Sequence, residues 1–516
     1  MPSVRFYRGL ARAAAVLTLA AQLFMAQLAT AYLSTAQAAT LRLGLFGLPS
    51  HGGNPYSLAG MPDILTMSAM FDGLTRFDAN GTLHPWLAVA WENVDQLTWI
   101  IRLRQDVRFS NGTPFTSQAV VSAVDYLTSE AATAEGVATE LNFLKTAEAV
   151  DDFTVRIVTK VPSPMLPRYL PILYMVEPGA WQTLGPQAFS RAPVGTGPFT
   201  VASWRPNGIV FDANRDSWRP PRIDKLEIRA VPDVTARLQA LLSGQLDIAY
   251  SLGPDDKLAV EDIGARFLVA PSEEVRVISF ITTRDTPLRN VLVRRALNLA
   301  VDRAAINDAL LGGVAPPATQ GATRGSYGFD PSLPPFDYRP EEAKQLLRAA
   351  GLEDGFTFSV ELVSGSTAND MAIIQRIAED LSKVGVRMDI RQVTIQEFLR
   401  DTATGSWQAD SFIMVFPVVP PMDVLRPLRL HSCLRPLPWF CDPSVMPAID
   451  AAFSEFDPVK QVEQRRALMA WERDQVPALF LWEDVRFIGL APGVENFEEI
   501  NGFINYDRIT LSRKDR

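Results

Sequence analysis

Residues 356–393 read FTFSVELVSGSTANDMAIIQRIAEDLSKVGVRMDIRQV, and the periodicity of this run decides the fold. Phe356–Leu362 alternates apolar and polar side chains, the period of a strand. Ile373, Ile374, Ile377, Leu381 and Val384 then recur at helical spacing, and Gly385 closes the helix. Val386–Val393 returns to a strand, Thr394 caps another helix, and Ser411–Phe416 (SFIMVF) is a third strand. Just upstream, Pro340 opens a helix whose apolar face is Ala343, Leu346, Leu347 and Ala350, with Gly351 as its C-terminal cap. Strand, helix, strand, helix, strand at this spacing predicts an α/β unit with a largely parallel sheet.

The first half is more mixed. Leu41–Phe46 (LRLGLF) and Thr98–Leu103 (TWIIRL) are strand candidates, and Ser110–Thr113 is a turn. Thr116 is placed to cap a helix that presents Ala119, Val120, Ala123, Val124 and Leu127 on one face. Phe153–Val158 reads as a half-buried strand, and the proline-dense stretch from Pro162 to Pro178 as a wall without long regular elements. Val194–Phe199 packs two glycines and a proline before the strand Thr200–Trp204. It lacks the spacing and the basic residue of a phosphate loop, so its reading is structural.

At 516 residues, the chain has room for two or three domains of roughly 100–200 residues. Hydrophobic residues make up 47% and charged residues 21%, which excludes disordered and collagen-like chains. A formal net charge of -9 argues against nucleic acid as a partner. Met1–Ala38 carries Arg5, Arg8 and Arg12, an apolar stretch from Ala13 to Met25, and the small-residue site Ala36-Gln37-Ala38. This is the pattern of a cleaved secretory signal. Gln22 and Gln27 interrupt a core already shorter than the about 20 apolar residues of a membrane span. The segment has no cysteine to carry a lipid, so a soluble exported product, periplasmic where there is an outer membrane, is expected.

Cys433 and Cys441 lie eight positions apart, and in an oxidising compartment they are expected to pair. A metal or redox pair is the alternative, but the spacing is not C-x-x-C and the chain has three histidines in all. No G-x-S-x-G and no H-E-x-x-H is present. The expectation is therefore a protein that is not an enzyme and needs no cofactor. An exported hydrolase with a carboxylate pair is the competing reading, and a periplasmic chaperone a third.

Several segments resemble the extracytoplasmic solute-binding proteins of ABC importers, in the peptide- and nickel-binding class called family 5 or cluster C. They are Phe71–Phe77 (FDGLTRF), Leu83–Ala88 (LHPWLA), Trp99–Arg104 and Asp106–Phe115 (DVRFSNGTPF). Gly195–Phe199 (GTGPF), Leu242–Ile248 (LSGQLDI), Val293–Arg303, Tyr338–Lys344 and Phe440–Pro443 continue the set in the family's order. The resemblance implies a two-lobed periplasmic binding protein fold, type II, with an inserted subdomain and a two-crossing hinge. On that pattern lobe I comprises 39–74, the insert 75–190, then 191–281 and 484–516, and lobe II comprises 282–483. Crossings are expected near Ile278–Thr282 and Trp482–Val485. The implied partners are a small solute and an inner-membrane permease and ATPase complex, with the receptor itself a monomer.

The chain departs from the class where peptide binders place an aspartate for the ligand's ammonium. Aligning strand ends puts Phe416 at the preceding aromatic position and Val419 at the aspartate. Asp423 is the substitute if the loop is out of register. The expected ligand contacts are His51, Phe416, Pro417, Val418, Val419, Asp423 and, in the loop 325–329, Tyr327. The stiff, apolar Val418-Val419-Pro420-Pro421 stretch favours a weakly polar or N-blocked solute. Nickel-chelate binding is the alternative within the family, and it would draw on His51 and His431.

Overall fold

Ten strands pair edge to edge in one sheet that runs through both lobes. In chain order they are β1 (Thr40–Leu45), β2 (Phe199–Arg205), β3 (Gly208–Ala213), β4 (Lys225–Ala230), β5 (Ile248–Ala249), β6 (Arg266–Phe280), β7 (Phe356–Val363), β8 (Val386–Val393), β9 (Ser411–Pro417) and β10 (Ala478–Leu490). Across the sheet the order is β8-β7-β9-β6-β10-β5-β1-β4-β3-β2. The structure is a computed structural model and describes residues 38–58, 60–363 and 369–512. The signal segment before Ala38 lies outside the described residues. None of the described helices is long and apolar enough to cross a membrane.

The second lobe follows its periodicity. Ile373, Ile374, Ile377, Leu381 and Val384 pack with Phe358, Val360, Val386 and Met388 in one core. Thr394 and Glu397 form a reciprocal capping box at the next helix, satisfying two backbone donors. β8, β7 and β9 are parallel, as expected, but β6 pairs antiparallel with β9 and with β10, so the lobe's sheet is mixed. Thr116 sits at the N-cap of Ser117–Leu127, yet its side chain makes no capping bond.

Within the expected insert, a separate antiparallel sheet is built from Ala88–Asn93, Thr98–Leu103, Thr154–Thr159 and Leu144–Asp151, in that spatial order. Ser117–Leu127 contributes Ala119, Val120, Ala123, Val124 and Leu127 to its core. Short helical turns at Leu166–Tyr169 and Leu170–Ile172 occupy the proline-dense stretch.

The motifs of the first lobe converge on one buried carboxylate. Asp72 accepts from Thr196 (2.8 Å), Trp86 (2.8 Å) and Trp218 (3.1 Å), and from Arg219 Nε (2.9 Å). Burial pushes its pKa up, but Arg219 and the three hydrogen bonds outweigh it and hold the carboxyl below its ordinary value. Arg219 also pairs with Asp507 near the C-terminus at 2.9 Å, tying the last segment to the first lobe. A Cβ on Gly73 would fall 2.2 Å from Pro171 O, so FDGLT needs glycine for close approach rather than for a ligand.

Two strands connect the lobes. β6 and β10 pair with each other from Arg266↔Leu490 in the first lobe to Ser279↔Ala478 in the second. Pro271 faces Val485 while Val275 faces Glu483, so β6 spends two more residues than β10 on this stretch. The slip falls earlier in β6 than the crossing expected at 278–282. In β10 it coincides with Trp482–Val485. Because the sheet is continuous, the chain from Leu41 onward forms one compact unit.

Candidate functional site

The register slip opens the floor of a cavity of about 650 Å³. Glu274 and Arg276 from β6, with Trp482, Asp484 and Arg486 from β10, form that floor. Phe46, Met61, Val234 and Leu252 wall it on the first lobe. Leu311, Leu362, Ile374 and Ile413 wall it on the second. Phe46 directly follows β1 and Ser251 lies two residues past β5, so the cavity lies at the C-terminal ends of parallel strands, where open α/β sheets bind ligands.

The floor is densely charged. Arg276 pairs with Asp484 at 2.5 Å, and Trp482 Nε1 donates to the same carboxylate at 3.3 Å. Arg486 bridges Glu273 (3.0 Å) and Glu499 (2.7 Å), and Tyr250 donates to Glu499 at 2.5 Å. Burial lowers the Arg276 pKa, but Asp484 more than compensates and leaves it above the usual arginine value. The Glu274 carboxyl is pushed up by burial and by Asp484, with Arg486 and Arg276 opposing only in part.

A second set of contacts, away from the cavity lining, joins the segment around Arg168 to the loop after β9. Arg168, on the insert, donates to Pro421 O (2.7 Å), Met422 O (2.9 Å) and Gly81 O (3.3 Å). Its guanidinium stacks on Phe77 at 4.7 Å and Tyr327 at 5.1 Å, a cation–π sandwich. Burial pulls its pKa down to about 10. Arg426 pairs with Glu140 across the same boundary at 2.7 Å.

The residues expected at the ligand fall in three places. Phe416 is fully buried, stacked 3.7 Å from the ring of His431, and therefore faces the core; β9 instead turns Ile413, Val415 and Pro417 outward. Val418 is buried in the adjoining core, and Val419, half-buried, precedes Pro420. Asp423 does not stand free for a ligand ammonium. It is 3% exposed and bound by Arg465 through Nε (3.0 Å) and Nη2 (2.8 Å). Tyr327 lies against it through a backbone bridge and donates to Gln461 at 2.7 Å, so both are held by the helix Pro458–Gln475.

The histidines stay apart. His431 is fully buried, donates Nδ1 to Pro427 O at 2.8 Å, and burial pulls its pKa down to about 3. His51 lines a wider depression of about 990 Å³ with Glu135, Arg191 and Trp204, all from lobe I and its insert. No group of three or more His, Cys, Asp or Glu side chains suited to a metal occurs among the described residues. Cys433 and Cys441 form the expected disulfide, with Cα atoms 4.6 Å apart, beside the His431 core.

Sequence reasoning missed Glu274, Arg276 and Arg168, and placed Trp482 only at a lobe crossing. The alternation of β6 signalled that Glu274 and Arg276 share a face, but not that this face looks into a cleft.

Residues 82–432 match the family model described as bacterial extracellular solute-binding proteins, family 5 Middle. The chain belongs to that family. As a family 5 solute-binding protein it binds a solute outside the inner membrane and serves an ABC importer. The matched segment includes Glu274, Arg276 and Arg168. The chain is 27% identical over 370 residues to the glutathione-binding protein GsiB of Escherichia coli K12, covering 70% of this chain and 71% of that one. Among solved structures, NikA from Brucella suis in complex with Fe(III)-EDTA superposes with a TM-score of 0.80 at 21% identity, over 92% of this chain and all of that one. DppA from Helicobacter pylori in complex with the peptide STSA gives 0.78 at 19%, over 92% and 98%. The family 5 fold is two-lobed in this chain, with the cavity between the lobes.

Proposed function

We propose that this chain captures a small peptide-like or other organic solute between its lobes and delivers it, chemically unaltered, to a membrane permease. The observation that carries the reading is the cavity of about 650 Å³ walled by both lobes and floored by their connecting strands. That volume suits a small organic ligand. A solute touching both walls stabilises the closed arrangement by its differential affinity, and the hinge strands β6 and β10 absorb the motion. No covalent step is needed, so the protein is a receptor rather than an enzyme. It works in the periplasm as a soluble monomer after loss of Met1–Ala38. The named relative binds glutathione, itself a small peptide, which favours a peptide-like cargo over a nickel chelate. The buried, neutral His431 points the same way.

Native mass spectrometry of protein purified from its own host tests this reading. A single small organic solute, bound one to one and released intact on unfolding, is expected. Bound nickel, or a ligand converted to product on the protein, would overturn it.

A further inference from the structure

The floor of the cleft carries more carboxylates than its own cations neutralise: Glu273, Glu274, Asp484 and Glu499 face two arginines, Arg276 and Arg486. Asp484 is taken by Arg276, and Glu273 and Glu499 by Arg486. The other arginine of the cavity, Arg237, donates to the backbone carbonyls of Tyr250, Val231, Pro232 and Ser251 at 2.6–2.8 Å and offers nothing to an anion. Glu274 lines the same cavity, and among the described residues its carboxylate makes no ion pair and no side-chain hydrogen bond. Its cross-strand neighbour on β9 is Pro417, which has no N–H to donate.

Resting on the receptor reading above, we propose that the cleft selects solutes bearing a cationic group, an ammonium or guanidinium, and that Glu274 is the residue that pairs with it. A neutral cargo sealed in this space would leave a carboxylate buried without a counter-charge, which is costly. An anionic cargo would meet Glu274 and Asp484 with no unpaired arginine to receive it. A cation with an apolar body satisfies both halves of the site, its head on Glu274 and its body against Phe46, Leu362, Ile374 and Trp482. The anionic anchor absent at Val419 is thereby supplied from a hinge strand instead of the loop after β9. This reverses the preference for uncharged or N-blocked solutes drawn from that loop alone.

Three synthetic pools test it on the full-length mature protein: tripeptide amides with free amino termini, the same amides N-acetylated, and N-acetylated tripeptide acids. They present a cation, no charge and an anion on one scaffold. Binding is read by calorimetry and closure by solution scattering. The free-amino amides are expected to bind about 10- to 100-fold more tightly than either acetylated pool, the range for a hydrogen bond to a charged group. Glu274→Gln should erase that preference, and Glu274→Asp should keep part of it, with melting temperature reporting that each variant is folded. Equal binding of all pools, a preference for the acids, or an unchanged preference in Glu274→Gln would overturn the assignment. If the acetylated pools still close the lobes, the receptor reading survives. Failure of every pool overturns the charge assignment too. Scattering with the solute carried from the host then shows whether the receptor reading falls with it.

Discussion

Replacing Arg168 by alanine should open the molecule. Its guanidinium makes two short hydrogen bonds to the second lobe, to Pro421 O at 2.7 Å and Met422 O at 2.9 Å, and covers Tyr327. Hydrogen bonds from charged donors contribute about 1.5–3 kcal/mol each. Taking the lower value for both, the closed form loses about 3 kcal/mol while the open form, with Arg168 in water, loses almost nothing. The closing equilibrium then shifts by on the order of a hundredfold, and apparent solute affinity falls by the same factor. A fluorophore pair on the insert and the second lobe reads the closed fraction, and calorimetry with the solute carried from the host reads the affinity. Arg168→Lys should fall between the two, because a point charge keeps one bond but not the stacked fork. An Arg168→Ala protein that closes as fully as the parent, with affinity within about twofold, would refute the reasoning that these contacts exist only in the capturing state.

Three further outcomes follow from buried groups. Asp72→Asn leaves Arg219 without its main partner inside the first lobe and should cost about 3–5 kcal/mol in denaturant titrations near neutral pH. Since the folded state holds Asp72 below 3.8, its contribution is present above that value and vanishes as acid protonates the native carboxyl, so the variant's acid limb should be flatter. Glu472 is buried with, among the described residues, only Gly321 N donating to it, and burial lifts its pKa to about 7. Stability is therefore lost as pH rises from about 4.5 toward 7, and Glu472→Gln should be more stable than the parent at pH 8 but not at pH 4. His431, held near 3, stays neutral in the fold, so stability declines as pH falls from 6.5 toward 3. Its ring resonances should not titrate between pH 5 and 8 or move on addition of nickel; either change would revive the metal reading.

Local periodicity was enough to place most elements of the second lobe, because each strand and helix there buries a face that its own spacing defines. Gly351 and Gly385 even marked the helix ends, both with positive φ. What the spacing of SFIMVF left open is which of its two faces meets the cleft. That depends on β6 pairing antiparallel beside it, with Glu274 opposite Pro417 and Val275 opposite Phe416, a contact between segments about 140 residues apart. Strand-end alignment chose Phe416, and the pairing turned that ring into the core. Asp423 was legible as a candidate replacement for the aspartate missing at Val419, but its partner Arg465 comes from the helix Pro458–Gln475, and no local pattern links the two. The cleft floor has the same origin. Glu274 and Arg276 meet Trp482, Asp484 and Arg486 only because two distant strands cross together between the lobes.

Solution X-ray scattering on protein stripped of its native cargo, recorded before and after that cargo is returned, tests the central claim most directly. A capturing receptor shows a smaller radius of gyration at one equivalent, and the added molecule is recovered unchanged. An unaltered profile at saturation, or a cargo consumed while the profile stays open, would contradict it.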